Sequence, residues 1–132
     1  MTVFVDTSAL YAILDRNDKN HGRARKQWDT LLSGAAQLVT TNYVVVESFA
    51  LVQHRLGMDA VRVLQDDVLP VIQINWVDAR QHFIAVAAML AAGRRMLSLV
   101  DCVSFVRMRE DGIQNAFAFD AHFSEQGFAG VR

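Results

Sequence analysis

The amino-acid sequence predicts an α/β domain with a mainly parallel sheet that is covered by helices on both faces. Short apolar segments rich in β-branched and aromatic residues alternate with longer segments whose apolar positions recur at helical spacing. Strands that alternate with helices in this way are typical of parallel sheets. A length of 132 residues is that of one domain, so we expect a single domain over residues 1–132.

Composition narrows the possible function classes. Hydrophobic residues make up 52% of the chain and charged residues 20%, which is typical of a folded domain with a large interior. The single cysteine, Cys102, rules out an internal disulfide and fits a reducing compartment, so we expect a cytoplasmic location. No apolar run approaches the length of a membrane span, so we expect no membrane association. Asp6 interrupts what would have to be a signal-peptide core. Because the net charge is −1, any binding of nucleic acid must depend on local patches.

The first predicted elements are a strand and a pair of helices. Residues 3–5 form a short apolar run, and after Asp6 the apolar positions Leu10 and Ile13 have helical spacing. A second helix is predicted over residues 19–32, because its apolar residues fall on one face and a glycine follows them. We expect the two helices to pack as a hairpin.

The next elements are a strand and a largely apolar helix. Residues 37–39 form a brief strand candidate, and the polar residues 40–42 can cap the helix that follows. This helix continues through Leu56 and is ended by Gly57. It is apolar on nearly every side, so we expect much of it to be buried.

The middle of the chain predicts two helices around a strand. A helix over residues 58–69 is expected to end before Pro70, because proline disfavours helical conformation in the preceding residue. Residues 71–74 then form a strand candidate. Residues 78–92 keep helical spacing of their apolar positions, and Gly93 closes that helix.

The last part of the chain predicts one helix and one clear strand. Ser98 begins a helix that runs to about Glu110. Residues 113–119 form the final clear strand, which ends at Asp120, and an edge strand is expected near Phe128.

Four of the fourteen acidic residues lie in apolar surroundings. Asp6 and Asp120 each follow an apolar strand, Asp101 follows an apolar run, and Glu47 lies inside the apolar helix. Burial of a charged group costs free energy unless it is paired or binds a metal. Because ligands bind at the carboxyl ends of parallel strands, these four side chains could converge at one edge of the sheet.

Each of these acids also has a purely structural interpretation. Asp6 and Asp120 can cap helices, Ser98 and Asp101 have nearly the spacing of a capping box, and Glu47 can pair with an arginine. Together the four carboxylates would repel one another and raise each other's pKa unless a cation lay among them. Oxygen ligands of this kind favour Mg²⁺ or Mn²⁺ over zinc.

With these motifs the chain resembles the PIN-domain nucleases, and in length and spacing it is most similar to the bacterial VapC toxins. The resemblance lies in residues 3–10, in the lone Glu47, in residues 98–101 and in residues 117–123. It implies a three-layer α/β/α domain with a five-stranded, mainly parallel sheet. It also implies a Mg²⁺- or Mn²⁺-dependent endoribonuclease toxin that cleaves structured RNA, either tRNA or rRNA, and that forms a homodimer and binds a VapB-type antitoxin.

The charges of the four acids suggest a role for each of them. Asp6 and Asp101 would hold the metal with Asp120 beside them, and Glu47 would ligate it or act through water. The metal would activate a water molecule that attacks the scissile phosphate. Ser8 is the candidate for orienting Asp6 or that water.

The arginines and histidines are assigned on weaker patterns. Arg94 and Arg95 precede the helix that contains Asp101, so they are the first candidates for contacts with the RNA backbone. The histidines are far apart in the sequence without close metal-ligand spacing, which favours surface or packing roles. They are His21, His54, His82 and His122.

Two departures from the family pattern and two alternative functions complete the prediction. Ala118 and Val100 stand where the family often has a hydroxyl residue close to Asp120 and Asp101. The loss of these hydroxyls leaves a PIN-like domain that only binds RNA or a protein as the alternative. A phosphatase that forms an aspartyl phosphate is disfavoured, because such sites need a lysine late in the chain and the only lysines are Lys19 and Lys26.

Overall fold

The computed structural model describes residues 1–131, and within them five strands form one all-parallel sheet in the order β3-β2-β1-β4-β5. The strands are β1 Thr2–Val5, β2 Gln37–Thr41, β3 Gln73–Asn75, β4 Asn115–Phe117 and β5 Ala129–Gly130. The helices are α1 Thr7–Leu14, α2 His21–Ser33, α3 Asn42–Leu56, α4 Met58–Val63, α5 Ala79–Ala92, α6 Leu99–Glu110 and α7 Ala121–Glu125. The predicted α/β fold with a five-stranded parallel sheet is confirmed.

The order of the strands determines where the helices lie. From β1 the chain moves through β2 to β3 in one direction, and it then returns past β1 to β4 and β5. Because crossovers between parallel strands are right-handed, the two directions place their helices on opposite faces of the sheet. Accordingly α1 contacts α2 and α3, whereas α5 contacts α6. The result is three layers, and no helix within residues 1–131 has the length and apolarity that crossing a membrane requires.

Strand β1 forms the centre of the core. Its residues Val3, Phe4 and Val5 are almost completely buried, since neighbouring strands and both helical layers cover them. In the register of the sheet, Phe4 lies between Val39 of β2 and Ala116 of β4. The carboxyl ends of β1 and β4 are therefore adjacent, at the point where the direction of the chain reverses. Such a point is where open α/β sheets form a crevice.

The predicted helix over residues 58–69 is interrupted. Helix α4 gives way to a π-helical turn at Leu64–Val68 and then to a 3₁₀ turn at Leu69–Val71. Pro70 lies inside this last turn, because the first turn of a helix does not need the N–H group that proline lacks. The following strand begins at Gln73 rather than residue 71.

The last predicted strand is shorter than residues 113–119. Ile113 remains bound to the end of α6, where its N–H group donates to the carbonyl of Met108. At the other end, the N–H group of Phe119 donates to Ser8 Oγ at 2.9 Å instead of to a strand. Two residues therefore separate β4 from Asp120, and the path of this segment is set by the start of α1.

Candidate acidic site at the carboxyl edge of the sheet

Asp6 connects the end of β1 to the start of α1. Its N–H group donates to the carbonyl of Phe117 at 3.0 Å, which fixes the backbone against β4. Its carboxylate caps α1, since Oδ2 accepts from Ser8 N at 3.1 Å and from Ser8 Oγ at 2.7 Å. The residue is only 4% exposed. The capping interpretation is therefore correct, and it places a buried carboxylate between two strand ends.

Asp101 reaches the same edge from α6. Ser98 and Asp101 form a capping box, in which Asp101 N donates to Ser98 Oγ at 3.1 Å and Ser98 N donates to Asp101 Oδ2 at 3.2 Å. Among the hydrogen bonds found within residues 1–131, none involves Asp101 Oδ1. The residue is 7% exposed, so one oxygen of a nearly buried carboxylate is left for another ligand.

Asp120 arrives from the segment that follows β4. It caps the short helix α7, with Oδ1 accepting from His122 N at 2.8 Å. The side chains of Asp101, Asp120 and His122 each offer a ligand atom, and these three atoms lie within 4.8 Å of one another. Two carboxylates and an imidazole at this spacing form a group that can hold a metal ion.

The carboxylates perturb one another. The pKa of Asp6 is raised to about 7, chiefly by burial and also by the charges of Asp101 and Asp120, although the hydrogen bonds from Ser8 lower it. Burial also raises the pKa of Asp101, with Asp120 contributing in the same direction. Asp6 and Asp101 are therefore at a disadvantage when they are ionised in the metal-free protein. A cation placed among them would remove that disadvantage.

Ser8 joins two parts of the site. Its hydroxyl donates to Asp6 Oδ2 and accepts from the N–H group of Phe119, the residue immediately before Asp120. One side chain thus fixes the Asp6 carboxylate and the approach of the Asp120 segment. The orienting role that the sequence suggests for Ser8 stays a prediction.

Glu47 is placed differently from the other three acids. It is half-buried on α3 and lines a shallow, largely apolar hollow with Tyr43, Val46 and Val100. Among residues 1–131 its carboxylate has no hydrogen bond or ion pair. The structure groups Asp101 and Asp120 with His122 and places both acids close enough to Asp6 for their charges to raise its pKa. It places Glu47 apart from them, beside the residue that precedes Asp101.

The two arginines selected from the sequence lie on the loop that precedes α6. Arg94 pairs with Glu125 at 3.0 Å, and Glu125 lies 3.4 Å from His122 Nδ1. Arg94 is thereby tied to the rim of the acidic site. Arg95 is exposed, and its side chain makes no hydrogen bond or ion pair within the described residues.

His122 is the residue that sequence reasoning missed, since it was expected only to pack or to face solvent. Its Nε2 atom lies 3.1 Å from the carbonyl of Met96 and 3.7 Å from Asp120 Oδ1. Burial lowers the pKa of His122, but Asp120, Glu125 and Asp101 outweigh burial and the net shift is upward. The sequence feature that could have indicated a role for His122 is its position two residues after Asp120, the acid that follows the last predicted strand.

Comparison with known proteins identifies one family and several relatives. The family model described as PIN domain matches residues 3–129. The chain is 36% identical over 131 residues to the protein from Mycobacterium tuberculosis named 23S rRNA-specific endonuclease VapC20, with 98% of each chain covered.

Solved structures give the same picture at the level of the fold. The crystal structure of Mycobacterium tuberculosis VapC20, titled as a sarcin-ricin loop cleaving toxin, superposes with a TM-score of 0.87 at 34% identity over 98% of both chains. FitAcB from Neisseria gonorrhoeae matches with a TM-score of 0.69 at 16% identity over 100% of this chain and 97% of that one. VapBC2 from Rickettsia felis, bound to a DNA fragment from its promoter, matches with a TM-score of 0.71 at 10% identity, over 98% of this chain and 97% of that one. The last two share the fold alone.

The raised pKa of Asp6 predicts that Asp6→Asn stabilises the metal-free protein at high pH. A carboxyl whose pKa rises from 3.8 in the unfolded chain to about 7 in the folded one loses stability as pH rises through that window, by up to about 4 kcal/mol. Asparagine has no charge to bury, and its amide oxygen can still accept from Ser8. Thermal and urea unfolding in EDTA should therefore show the variant to be more stable at about pH 8 and equal to the wild type at about pH 4.

The matched control is Asp66→Asn, which changes an exposed acid and should leave the pH dependence of unfolding as it is. If Asp6→Asn is less stable than the wild type at high pH, the carboxylate is not destabilised by its surroundings and this account of the site is wrong.

Proposed function

The chain belongs to the PIN domain family, and we propose that it is an endoribonuclease toxin that cleaves structured RNA with the help of Mg²⁺ or Mn²⁺, residues 1–132 acting as one domain. The observation on which this proposal depends is the meeting of Asp6, Asp101 and Asp120 where β1 and β4 end. The family match over residues 3–129 and the 36% identity to a 23S rRNA-specific endonuclease support it.

The donor set fits a hard divalent cation. Carboxylate oxygens from Asp6, Asp101 and Asp120 are the ligands that Mg²⁺ and Mn²⁺ prefer, and the upward pKa shifts of Asp6 and Asp101 are those expected of acids that lack their counter-ion. We propose that these three acids hold the cation. Glu47 contributes through water, consistent with its place next to Val100, and His122 fixes Asp120.

A bound divalent cation supplies positive charge that stabilises the developing negative charge on the phosphate and lowers the pKa of water. The residues of the chain hold the carboxylates in position. Ser8 and the N–H group of Phe119 fix the direction of the Asp6 carboxylate, and the capping box fixes Asp101. No hydrogen bond to Asp120 Oδ2 is found within residues 1–131, so this atom can accept the proton of the attacking water. The water oxygen bonds to phosphorus in line with the 3′-oxygen, whose bond to phosphorus breaks. The leaving 3′-oxygen takes a proton from solvent, so the products are a 5′-phosphate and a 3′-hydroxyl.

The structure bears on the alternative of an inactive domain. Ala118 provides no hydroxyl for Asp120, but Asp120 Oδ1 already accepts from His122 N at 2.8 Å. The orientation of Asp120 therefore has another source. This hydrogen bond favours a working nuclease over a domain that only binds RNA or protein.

The similarity to VapC20 supports a proposal for the RNA substrate and the antitoxin partner of this chain. VapC20 is named as an endonuclease specific for 23S rRNA, and we propose ribosomal RNA rather than transfer RNA as the target of this chain. We also propose a VapB-type antitoxin as the partner that blocks the acidic site. Both the RNA and such an antitoxin belong to the cytoplasm, which is the location we propose.

A second copy of the chain is proposed to cover α5. From Gln81 to Ala92 this helix has no acid, lysine or arginine, and Phe83 and Leu90 are 68% and 71% exposed one helical heptad apart. An exposed apolar face of this extent marks an interface. Because a two-fold dimer uses the same patch twice, a face without charges can pair with itself at no electrostatic cost.

RNA cleavage tests the nuclease proposal. The purified, antitoxin-free protein should cut ribosomal RNA at discrete positions with Mg²⁺ or Mn²⁺ and not in EDTA. Asp6→Asn and Asp101→Asn should each lower the rate by a factor of at least about 100, because each removes a charge that holds the cation. End mapping should find 5′-phosphates.

Asp66→Asn is the control, since it removes the same charge from an exposed position outside the site. Cleavage that continues in EDTA, or that survives both Asp6→Asn and Asp101→Asn, would contradict the proposed chemistry.

The oligomeric state tests the role of α5. Light scattering during size exclusion should give a dimer for the wild type and a monomer for Phe83→Glu, because a carboxylate would be buried against its own symmetry mate. Leu32→Glu changes an exposed apolar residue on α2, which lies in the opposite helical layer, and it should leave the dimer intact. A monomeric wild type would refute the proposed interface.

A further inference from the structure

A groove leads away from the acidic site along the start of α2. It has a volume of about 310 Å³ and lies between the start of α2, the segment that joins β4 to α7, and the segment from α7 to β5. Its lining includes the polar side chains of Lys19, Asn20 and Arg23 on one side and Phe119 and Asp120 on the other. Asp120 lines the groove and also belongs to the acidic site, so the groove and the site are adjacent.

Arg23 and Phe119 form a cation–π pair in this groove. The guanidinium carbon of Arg23 lies 5.3 Å from the centroid of the Phe119 ring. Phe119 is half-buried, and its backbone is held by Ser8. Arg23 is exposed, which leaves the outer face of its planar guanidinium open. A flat aromatic group can stack there, because guanidinium planes and aromatic rings both serve as platforms for bases.

The cations along this side of α2 are not paired with acids. Arg23 and Lys26 lie three residues apart on one face of α2, and Lys19 lies in the turn that precedes this helix. Arg23 and Lys26 also line a second hollow that continues the groove. Among residues 1–131 none of these three has an acidic partner, whereas Arg94 is bound to Glu125.

We propose that this groove binds the single-stranded RNA that flanks the scissile phosphate, with one base stacked on the Arg23–Phe119 pair and the phosphates placed by Lys19 and Lys26. This inference rests on the proposed nuclease function. An incoming RNA meets the negative charge of the acidic site, and unpaired cations beside that site offset the repulsion. A stacking platform is useful to a nucleic acid, whereas an acidic protein segment would need the cations alone.

Binding without turnover tests the groove. The probe is a short fluorescein-labelled single-stranded RNA, measured by fluorescence anisotropy in EDTA over a series of salt concentrations. Arg23→Gln should weaken binding by about tenfold and reduce the slope of affinity against salt by about one. The matched control Arg25→Gln removes the same charge from an exposed position on the same helix that lines neither hollow, and it should have a much smaller effect.

A second variant separates stacking from charge. Arg23→Lys keeps the charge but removes the planar group. It should weaken binding of the RNA severalfold with an unchanged salt slope, and it should bind an abasic oligonucleotide of the same length as tightly as the wild type does.

The outcomes distinguish this inference from the nuclease proposal. A protein that binds RNA through Arg23 and never cleaves it supports the groove and contradicts the nuclease. A protein that cleaves RNA while Arg23→Gln binds it as tightly as the wild type contradicts the groove. The groove proposal is also wrong if the wild type does not bind the probe, or if Arg23→Gln impairs capture of the antitoxin and leaves RNA affinity unchanged.

Discussion

A carboxylate at the position of Asp6 has lost almost all of its contact with water, and burial of an ionised group is expensive unless the protein compensates for it. Ser8 supplies two hydrogen bonds, but Asp101 and Asp120 add negative charge beside it, and the pKa of Asp6 rises to about 7. The fold thus gives up stability at this edge. A local loss of folding stability is characteristic of functional sites. A cation between the acids is the simplest group that would restore this stability.

The topology of the sheet explains why these acids meet. Strand β1 is central, and β4 joins it on the side opposite to β2, so the segments after β1 and β4 leave toward different helical layers. Asp6 and Asp120 each cap the helix that follows their strand. Capping and function therefore do not compete. Each cap uses one carboxylate oxygen, and within residues 1–131 the other oxygen of Asp6 and of Asp120 makes no hydrogen bond.

Much of this arrangement is predictable from sequence, and the exceptions have physical reasons. The alternation of strands and helices gives the fold, and the apolar runs before Asp6 and Asp101 indicate burial because each stands directly at an element boundary. The contribution of His122 depends on how α7 folds back toward Asp120. The pairing of Arg23 with Phe119 joins residues 96 positions apart, which no local pattern reveals. The sequence predicts that the last clear strand continues to residue 119, but β4 ends at Phe117 because the N–H group of Phe119 donates to Ser8 Oγ rather than to a neighbouring strand.

The central claim is that Asp6, Asp101 and Asp120 share one divalent cation. Crystals of the antitoxin-free protein grown at about pH 8, where Asp6 is mostly ionised, and soaked in Mn²⁺ would test it through the anomalous scattering of manganese. The account predicts an anomalous peak bounded by the three carboxylates in the wild type and no peak there in Asp6→Asn. A wild-type map in which manganese binds elsewhere, with these carboxylates close together and unliganded, would contradict it.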